Sequence, residues 1–174
     1  EGAADPIIVH PDIRRSLMLQ KAYSEGMRAM LYTAAYWGDM AKTAKSEEEK
    51  EKYEALIAVV TPICKAFSTD MGMRVTEQAV QAHGGYGYCR EYRVEQYMRD
   101  EKIYAIVEGT NGIQALDLVG RKMRIRDGAP ARALLGRIGE IVAKVAGCEA
   151  TKEMSDRLMK ANGELVEVTG KLAQ

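Results

Sequence analysis

Apolar residues recur at three- and four-residue steps along most of this chain, and that spacing predicts helices. Over residues 11–45 the recurring positions are Ile13, Leu17, Met27, Met30, Leu31, Ala34 and Ala35. Pro11 suits the first turn of this helix because its missing N–H would have no partner there. No segment shows the period-two alternation of a strand, and no repeat of fixed period is present. The pattern therefore predicts an all-α bundle.

A second long helix is predicted to begin at Ser46-Glu47-Glu48-Glu49, which has the form of a capping box. Its apolar positions continue through residues 53–71. Pro62 lies inside this stretch and should kink or break the helix. We expect one long kinked helix that ends near residue 82, although two helices meeting at Pro62 would fit the same pattern.

Shorter helices are predicted in the second half of the chain. His83-Gly84-Gly85-Tyr86-Gly87-Tyr88 should end the long helix through a left-handed glycine, although a glycine-rich loop could also hold a phosphate. Helices are then expected over residues 94–106 and 111–124, and from Pro130 onwards after a turn at 126–128. Thr151 is a possible cap for a last helix with a heptad-like seam, formed by Met154, Leu158, Ala161, Leu165, Val168 and Leu172.

One carboxylate stands out in an apolar run, in the stretch Ile106-Val107-Glu108-Gly109-Thr110-Asn111-Gly112-Ile113-Gln114. Thr110 is a good N-cap for the helix that follows, because its hydroxyl can accept from first-turn N–H groups. Gly109 lets the backbone approach a ligand closely. Glu108 therefore lies just outside a helix N-terminus, where polar or anionic groups are favoured.

Composition narrows the classes of function. The 174 residues suffice for one domain with a core, and 25 basic residues balance 25 acidic ones, which argues against a nucleic-acid-binding surface. Cys64, Cys89 and Cys148 form no metal-ligand pattern, and with two histidines no metal site is expected. Reduced thiols are typical of a cytoplasmic protein. No apolar run is long enough to predict a membrane span.

Four motifs follow one another in order: Gln81-Ala82-His83-Gly84-Gly85-Tyr86-Gly87-Tyr88, Glu91-Tyr92-Arg93-Val94-Glu95, Met98-Arg99-Asp100 and Glu108-Gly109-Thr110-Asn111-Gly112-Ile113-Gln114. This series resembles the acyl-CoA dehydrogenase family. Together with the opening His10-Pro11-Asp12-Ile13-Arg14-Arg15, it is similar to the large-subunit subgroup that includes 3-methylmercaptopropionyl-CoA dehydrogenases. The resemblance implies that residues 1–124 form the family's C-terminal four-helix up-down bundle. Residues 125–174 would begin a further helical region.

The resemblance also implies a reaction. Members of the family are FAD-dependent oxidoreductases of fatty acid metabolism that dehydrogenate an acyl-CoA thioester between Cα and Cβ. By motif match, Glu108 is the base that takes the α-proton while the β-hydrogen leaves as hydride to flavin N5. Bound acyl chain and the apolar neighbours Ile106, Val107 and Ile113 would desolvate this carboxylate and strengthen it as a base. The Glu108 N–H and a flavin ribityl hydroxyl would polarise the thioester carbonyl.

Further site residues follow from the same match. Gln81, Gly84 and Gly85 correspond to a segment that contacts flavin, often that of a neighbouring subunit. Thr110, Ile113 and Gln114 correspond to a second flavin contact, and Gly109 would leave room for substrate. Two positions depart from the family's pattern: Val107 stands where tyrosine is most frequent, and Arg93 where many members have proline.

The family's N-terminal helical and middle β domains have no counterpart in this chain, and neither has the arginine that contacts the flavin pyrophosphate. We therefore expect a C-terminal fragment that is inactive alone and binds FAD weakly or not at all. Electron-transfer flavoprotein is the expected acceptor, and a homodimer or tetramer the expected assembly. The alternative is a non-catalytic helical oligomerisation module that uses the seam over residues 154–172.

Overall fold

The computed structural model describes residue 2 and residues 4–172. This part of the chain contains six α-helices and several short 3₁₀ turns, and it contains no strand. The all-α prediction is confirmed. The helices are α1 (Pro11–Thr43), α2 (Glu47–Ala82), α3 (Val94–Tyr104), α4 (Asn111–Gly120), α5 (Ala129–Ala146) and α6 (Lys152–Leu172).

Helix α2 is continuous through Pro62, so the two-helix alternative is wrong. The predicted capping box is present at its start: the backbone N–H of Glu49 donates to the Ser46 hydroxyl over 3.2 Å. The Glu49 carboxylate accepts from the backbone N–H of Lys45 at 3.0 Å, one residue earlier than a capping box requires. Both contacts satisfy polar groups that the first turn leaves without helical partners.

A left-handed residue follows the end of α2, and a left-handed turn lies between α4 and α5. Gly84, with a φ of 61°, follows α2 as predicted and leads into a 3₁₀ turn over Gly84–Tyr88. The helix predicted to reach residue 124 ends at Gly120 instead. At Arg121 the backbone leaves the helical region, with a φ of −125° and a ψ of −55°. The predicted turn that follows is left-handed at Arg126, Asp127 and Gly128, whose φ values are 48°, 55° and 79°.

The turn before α6 differs from prediction in one detail. The Thr151 hydroxyl donates to the carbonyls of Val145 and Cys148 at 2.7 and 3.1 Å. It therefore satisfies carbonyls at the end of α5, whereas the predicted role was to accept from the first turn of α6.

Two compact units divide the chain. The first comprises the residues up to Ala35 together with Thr61–Ala115, and the second comprises Tyr36–Val60 together with the residues from Leu116 onwards. In the second unit α5 packs on α6, and the fully buried Ser155 hydroxyl donates to the Val142 carbonyl at 3.0 Å. The predicted boundary after residue 124 is a division by family likeness and stays a prediction, as does the up-down bundle.

Helix α2 is also the one helix among those described that is long and apolar enough to cross a membrane by length and composition. This is a weak sign of a span, because the core helix of a globular protein passes the same test. The helix carries Lys65 and Asp70 within its apolar stretch, and both side chains bind polar groups of the chain itself.

Candidate active site

The loop between α3 and α4 carries the predicted base. Glu108 and Gly109 both have left-handed backbone, with φ values of 55° and 82°. For a residue other than glycine this conformation costs about 1–2 kcal/mol. Such strain persists only where the surrounding structure fixes the backbone. The contacts of the loop therefore show what holds Glu108 in place.

Contacts from the start of α4 brace this loop. The Gln114 side-chain amide donates to the Glu108 carbonyl at 3.1 Å. The Thr110 hydroxyl accepts from the Ile113 N–H at 3.3 Å, so the predicted N-cap is present. The Asn111 N–H donates to the Ala105 carbonyl at 3.3 Å, which closes the loop on the end of α3.

A second set of contacts comes from α2 and was not foreseen from the sequence. The Lys65 ammonium donates to the Gly109 carbonyl at 2.7 Å and to the Asn111 side-chain oxygen at 2.8 Å. The Asn111 amide group in turn donates to the Thr69 hydroxyl at 2.9 Å and to the Asp70 carboxylate at 2.7 Å. We call Lys65, Thr69, Asp70 and Asn111 the α2 anchor. The available signal was a lysine within the apolar stretch of α2, but its partners lie more than forty residues away.

The Glu108 side chain is exposed and makes no hydrogen bond or ion pair within residues 4–172. Its predicted apolar neighbours, Ile106, Val107 and Ile113, are between 41% and 54% exposed. In this chain they leave the carboxylate open, so the expected desolvation depends on groups that cover it from outside. The backbone N–H groups of Glu108 and Gly109 also donate no hydrogen bond to any described residue.

Gly109 has a clear local explanation. Its φ of 82° disfavours any other residue, and an added Cβ would lie 3.0 Å from the Gln114 side-chain nitrogen and 3.5 Å from Ile113 Cγ2. Glycine here lets the first turn of α4 approach the loop. Its predicted role beside substrate stays a prediction.

The other predicted flavin segment lies at the end of α2. Gln81 and the glycine pair are exposed, and the His83 ring Nδ1 donates to the Ala79 carbonyl at 2.8 Å, as suits a helix-end residue. Gly85 lacks positive φ, and a Cβ built on it would meet nothing within 4 Å. In the described part of the chain, no hydrogen bond joins this segment to the Glu108 loop. The structure thus brings Glu108, Gly109, Thr110, Ile113 and Gln114 together in one loop and helix start, whereas Gln81, Gly84 and Gly85 share no hydrogen bond with them.

Burial raises the pKa of two ionisable groups in the described part of the first unit. Burial raises the pKa of Glu101, whose carboxylate lies against Gly72 of α2. Burial also raises the pKa of the Cys64 thiol. Among the described residues, no cluster of three His, Cys, Asp or Glu side chains could hold a metal ion.

Comparison with known proteins places this geometry in context. The family model for the C-terminal domain of acyl-CoA dehydrogenases matches residues 1–124. A butyryl-CoA dehydrogenase of Syntrophomonas wolfei is 39% identical over 170 residues, which cover 97% of this chain and 28% of that protein. A 3-methylmercaptopropionyl-CoA dehydrogenase of Ruegeria pomeroyi is 36% identical over 159 residues, or 91% of this chain and 27% of the relative.

A broad-specificity linear acyl-CoA dehydrogenase of Mycobacterium tuberculosis is 39% identical over 171 residues, which cover 94% of this chain and 26% of that protein. This chain therefore spans about a quarter of the length of the curated relatives it matches.

Proposed function

The chain belongs to the acyl-CoA dehydrogenase family, and we propose that it supplies the C-terminal helical part of an FAD-dependent enzyme that dehydrogenates an acyl-CoA thioester between Cα and Cβ. The observation that carries the proposal is the state of Glu108. Its backbone is held in a left-handed conformation that is unfavourable for a residue with a Cβ, while its side chain makes no hydrogen bond or ion pair in the described chain. A side chain held in this way is available for chemistry.

In the proposed reaction the Glu108 carboxylate accepts the α-proton of the thioester. That proton is weakly acidic unless the thioester carbonyl is polarised, so a hydrogen-bond donor must face the carbonyl oxygen. The Glu108 N–H has no acceptor among the described residues and lies beside the base, which supports this assignment. Bound acyl chain would cover the carboxylate and remove water from it, which strengthens the base.

The residues present fit a flavin in part. Neither a positive φ nor close packing explains why residue 85 is a glycine. The open space beside it would admit a flat ring or a phosphate group. Gln81 and Thr110 are exposed, whereas the Gln114 amide nitrogen already binds the Glu108 carbonyl and leaves only its oxygen for a ligand. When bound, FAD supplies the acceptor for the β-hydrogen. The chain would orient it through Gln81, Gly84, Gly85, Thr110, Ile113 and Gln114.

The proposal extends to the partners. Electron-transfer flavoprotein would take the electrons, and the enzyme would work as a homodimer or tetramer in the cytoplasm. Exposed apolar side chains along α6 support assembly, because Met154, Leu165 and Val168 are each about half exposed. The chain by itself would be inactive.

Substitution of Glu108 tests the catalytic assignment. In the longer polypeptide that the proposal requires, Glu108→Gln keeps the size of the side chain and removes the base, so kcat should fall by at least about 100-fold. Glu91→Gln is the matched control, since the Glu91 side chain is also exposed and makes no hydrogen bond or ion pair in the described chain. Full activity of Glu108→Gln with acyl-CoA would show that another group is the base.

Flavin binding tests whether this chain contains only part of the flavin site, as proposed. Addition of FAD to this chain alone should leave flavin fluorescence unchanged at micromolar concentrations. Stoichiometric quenching would show that the chain contains a complete flavin site, contrary to the proposal.

The alternative is a helical oligomerisation module without catalytic function, and the exposed apolar face of α6 is the observation in its favour. Sedimentation of Leu165→Glu would test for association through this face. The module hypothesis requires loss of assembly together with full function of the Glu108→Gln enzyme.

A further inference from the structure

We propose that Lys65 is a positioning residue for the proposed base: its ammonium fixes the loop that carries Glu108 to helix α2. This inference rests on the proposed function. Its structural basis is the bond from the Lys65 ammonium to the carbonyl of Gly109, the residue directly after Glu108. A charged donor at 2.7 Å makes a stronger bond than a neutral one.

Lys65 is itself held from a second side. Its ammonium also donates to the Asn111 side chain, which binds Thr69 and Asp70 one turn further along α2. The contacts span the loop from Gly109 to the first residue of α4. Because each of the four side chains of the α2 anchor has a hydrogen-bond partner within it, the geometry is fixed by several mutually consistent bonds.

The anchor acts at the point where the backbone is strained. Glu108 lies in a left-handed conformation that unrestrained chains leave readily, and Gly109 adds a second flexible joint. Gln114 holds the Glu108 carbonyl, but it belongs to α4 and moves with the loop. Lys65 belongs to a different helix and therefore fixes the loop relative to the body of the first unit.

This arrangement makes a specific demand on Lys65. An apolar side chain of similar length would leave the Gly109 carbonyl without this donor and Asn111 with one partner fewer. The Glu108 carboxylate would then sample more positions. Misplacement of a catalytic group by about 1 Å can lower a rate about 100-fold. Turnover should suffer more than substrate binding.

Hydrogen exchange in this chain tests the structural step. In Lys65→Met, the Asn111 amide, which donates to the Ala105 carbonyl, should exchange about 10- to 100-fold faster than in the wild type. Lys52→Met is the matched control, because Lys52 is exposed on the same helix and does not touch the loop. It should change this rate less than about twofold. Unchanged Asn111 exchange in Lys65→Met would overturn the proposal.

A second variant keeps the test decisive if Lys65→Met fails to fold. Asn111→Ala leaves the Lys65 bond to Gly109 and removes the rest of the α2 anchor. Its effect is read at the backbone N–H of Gln114, which donates to the Thr110 carbonyl at 3.0 Å and should exchange faster in this variant, in Lys65→Met and in the double variant. The two substitutions combined should have less than the product of their separate effects, because they act on one network. Fully multiplicative effects would show that Lys65 and Asn111 hold the loop independently, contrary to the proposal.

Kinetics of the longer enzyme test the functional step. Lys65→Met should lower kcat about 10- to 100-fold, with KM for acyl-CoA within about threefold and FAD content unchanged. Lys65→Arg, which keeps a charged donor, should recover part of kcat. Loss of FAD in parallel with kcat, or an unchanged kcat, would refute a positioning role. Full activity of Glu108→Gln would refute the proposed function instead, while the exchange result would still decide whether Lys65 holds the loop.

Discussion

Replacement of Glu108 by glycine should stabilise this chain, and the amount follows from its backbone. The left-handed conformation costs a residue with a Cβ about 1–2 kcal/mol, and glycine escapes this cost. Glycine also has a more flexible unfolded state, which takes back about 0.5–1 kcal/mol. The Glu108 side chain has no hydrogen bond or ion pair in the described chain that could be lost. The midpoints of the two ranges leave an expected net gain of about 0.75 kcal/mol.

Arg93 provides a matched control for this change. Its φ of 53° is almost the same as that of Glu108. Its side chain is exposed and, like that of Glu108, makes no hydrogen bond or ion pair within residues 4–172. Both residues lie in the first compact unit. Arg93→Gly should therefore give the same gain in stability, but it should leave turnover of the longer enzyme unchanged. Only Glu108→Gly should abolish activity.

Urea unfolding followed by circular dichroism at 222 nm measures the gain, and thermal unfolding should show midpoints raised by about 1–4 °C. If Glu108→Gly destabilised the chain while Arg93→Gly stabilised it, the Glu108 side chain would contribute to the fold. The argument from its lack of contacts would then be wrong. If neither variant gained stability, the left-handed backbone would be relaxed at both sites.

Three further outcomes follow from burial in the first unit. An Ellman reagent assay near pH 8 should titrate the two exposed thiols quickly and Cys64 only on unfolding, because burial shields it and raises its pKa. Gly87→Ala should cost about 1–3 kcal/mol in urea unfolding, since the Cβ would meet the Val80 carbonyl, whereas Gly85→Ala should change stability by less than about 1 kcal/mol. Burial raises the folded-state pKa of Glu101, so its ionisation on going from pH 4 to 7 opposes folding. Glu101→Gln should therefore raise the free energy of unfolding by more at pH 7 than at pH 3, and urea unfolding at the two pH values measures this difference.

The helices were predictable because their signals are local. Apolar spacing, the capping box at Ser46 and the left-handed Gly84 each depend on residues within a few positions of one another, and all three are present in the structure. The end of α4 at Gly120 was not predicted. The backbone leaves the helical region at Arg121, a residue type that favours helices, so the local sequence does not indicate a break there.

For the candidate site, the sequence predicted the residues of the motif but not the contacts that hold them. The sequence located Glu108 and the Thr110 cap, but nothing in it indicated that Lys65 binds the same loop across more than forty residues. The left-handed backbone of Glu108 was also hidden, because residues other than glycine rarely adopt it. Contacts between distant segments and strained backbone are properties of the folded chain, so a linear pattern does not contain them.

The geometry explains why the motif around Glu108 is longer than its chemistry requires. Gly109 provides the backbone angle, Thr110 caps α4, Asn111 joins the α2 anchor, and Gln114 binds the Glu108 carbonyl. Each of these residues fixes the position of the loop, and Glu108 is the member whose side chain fixes nothing in the described chain. Folding alone would favour glycine at that position. A glutamate held there at a cost to stability agrees with the proposed function, in which its carboxylate acts on a substrate.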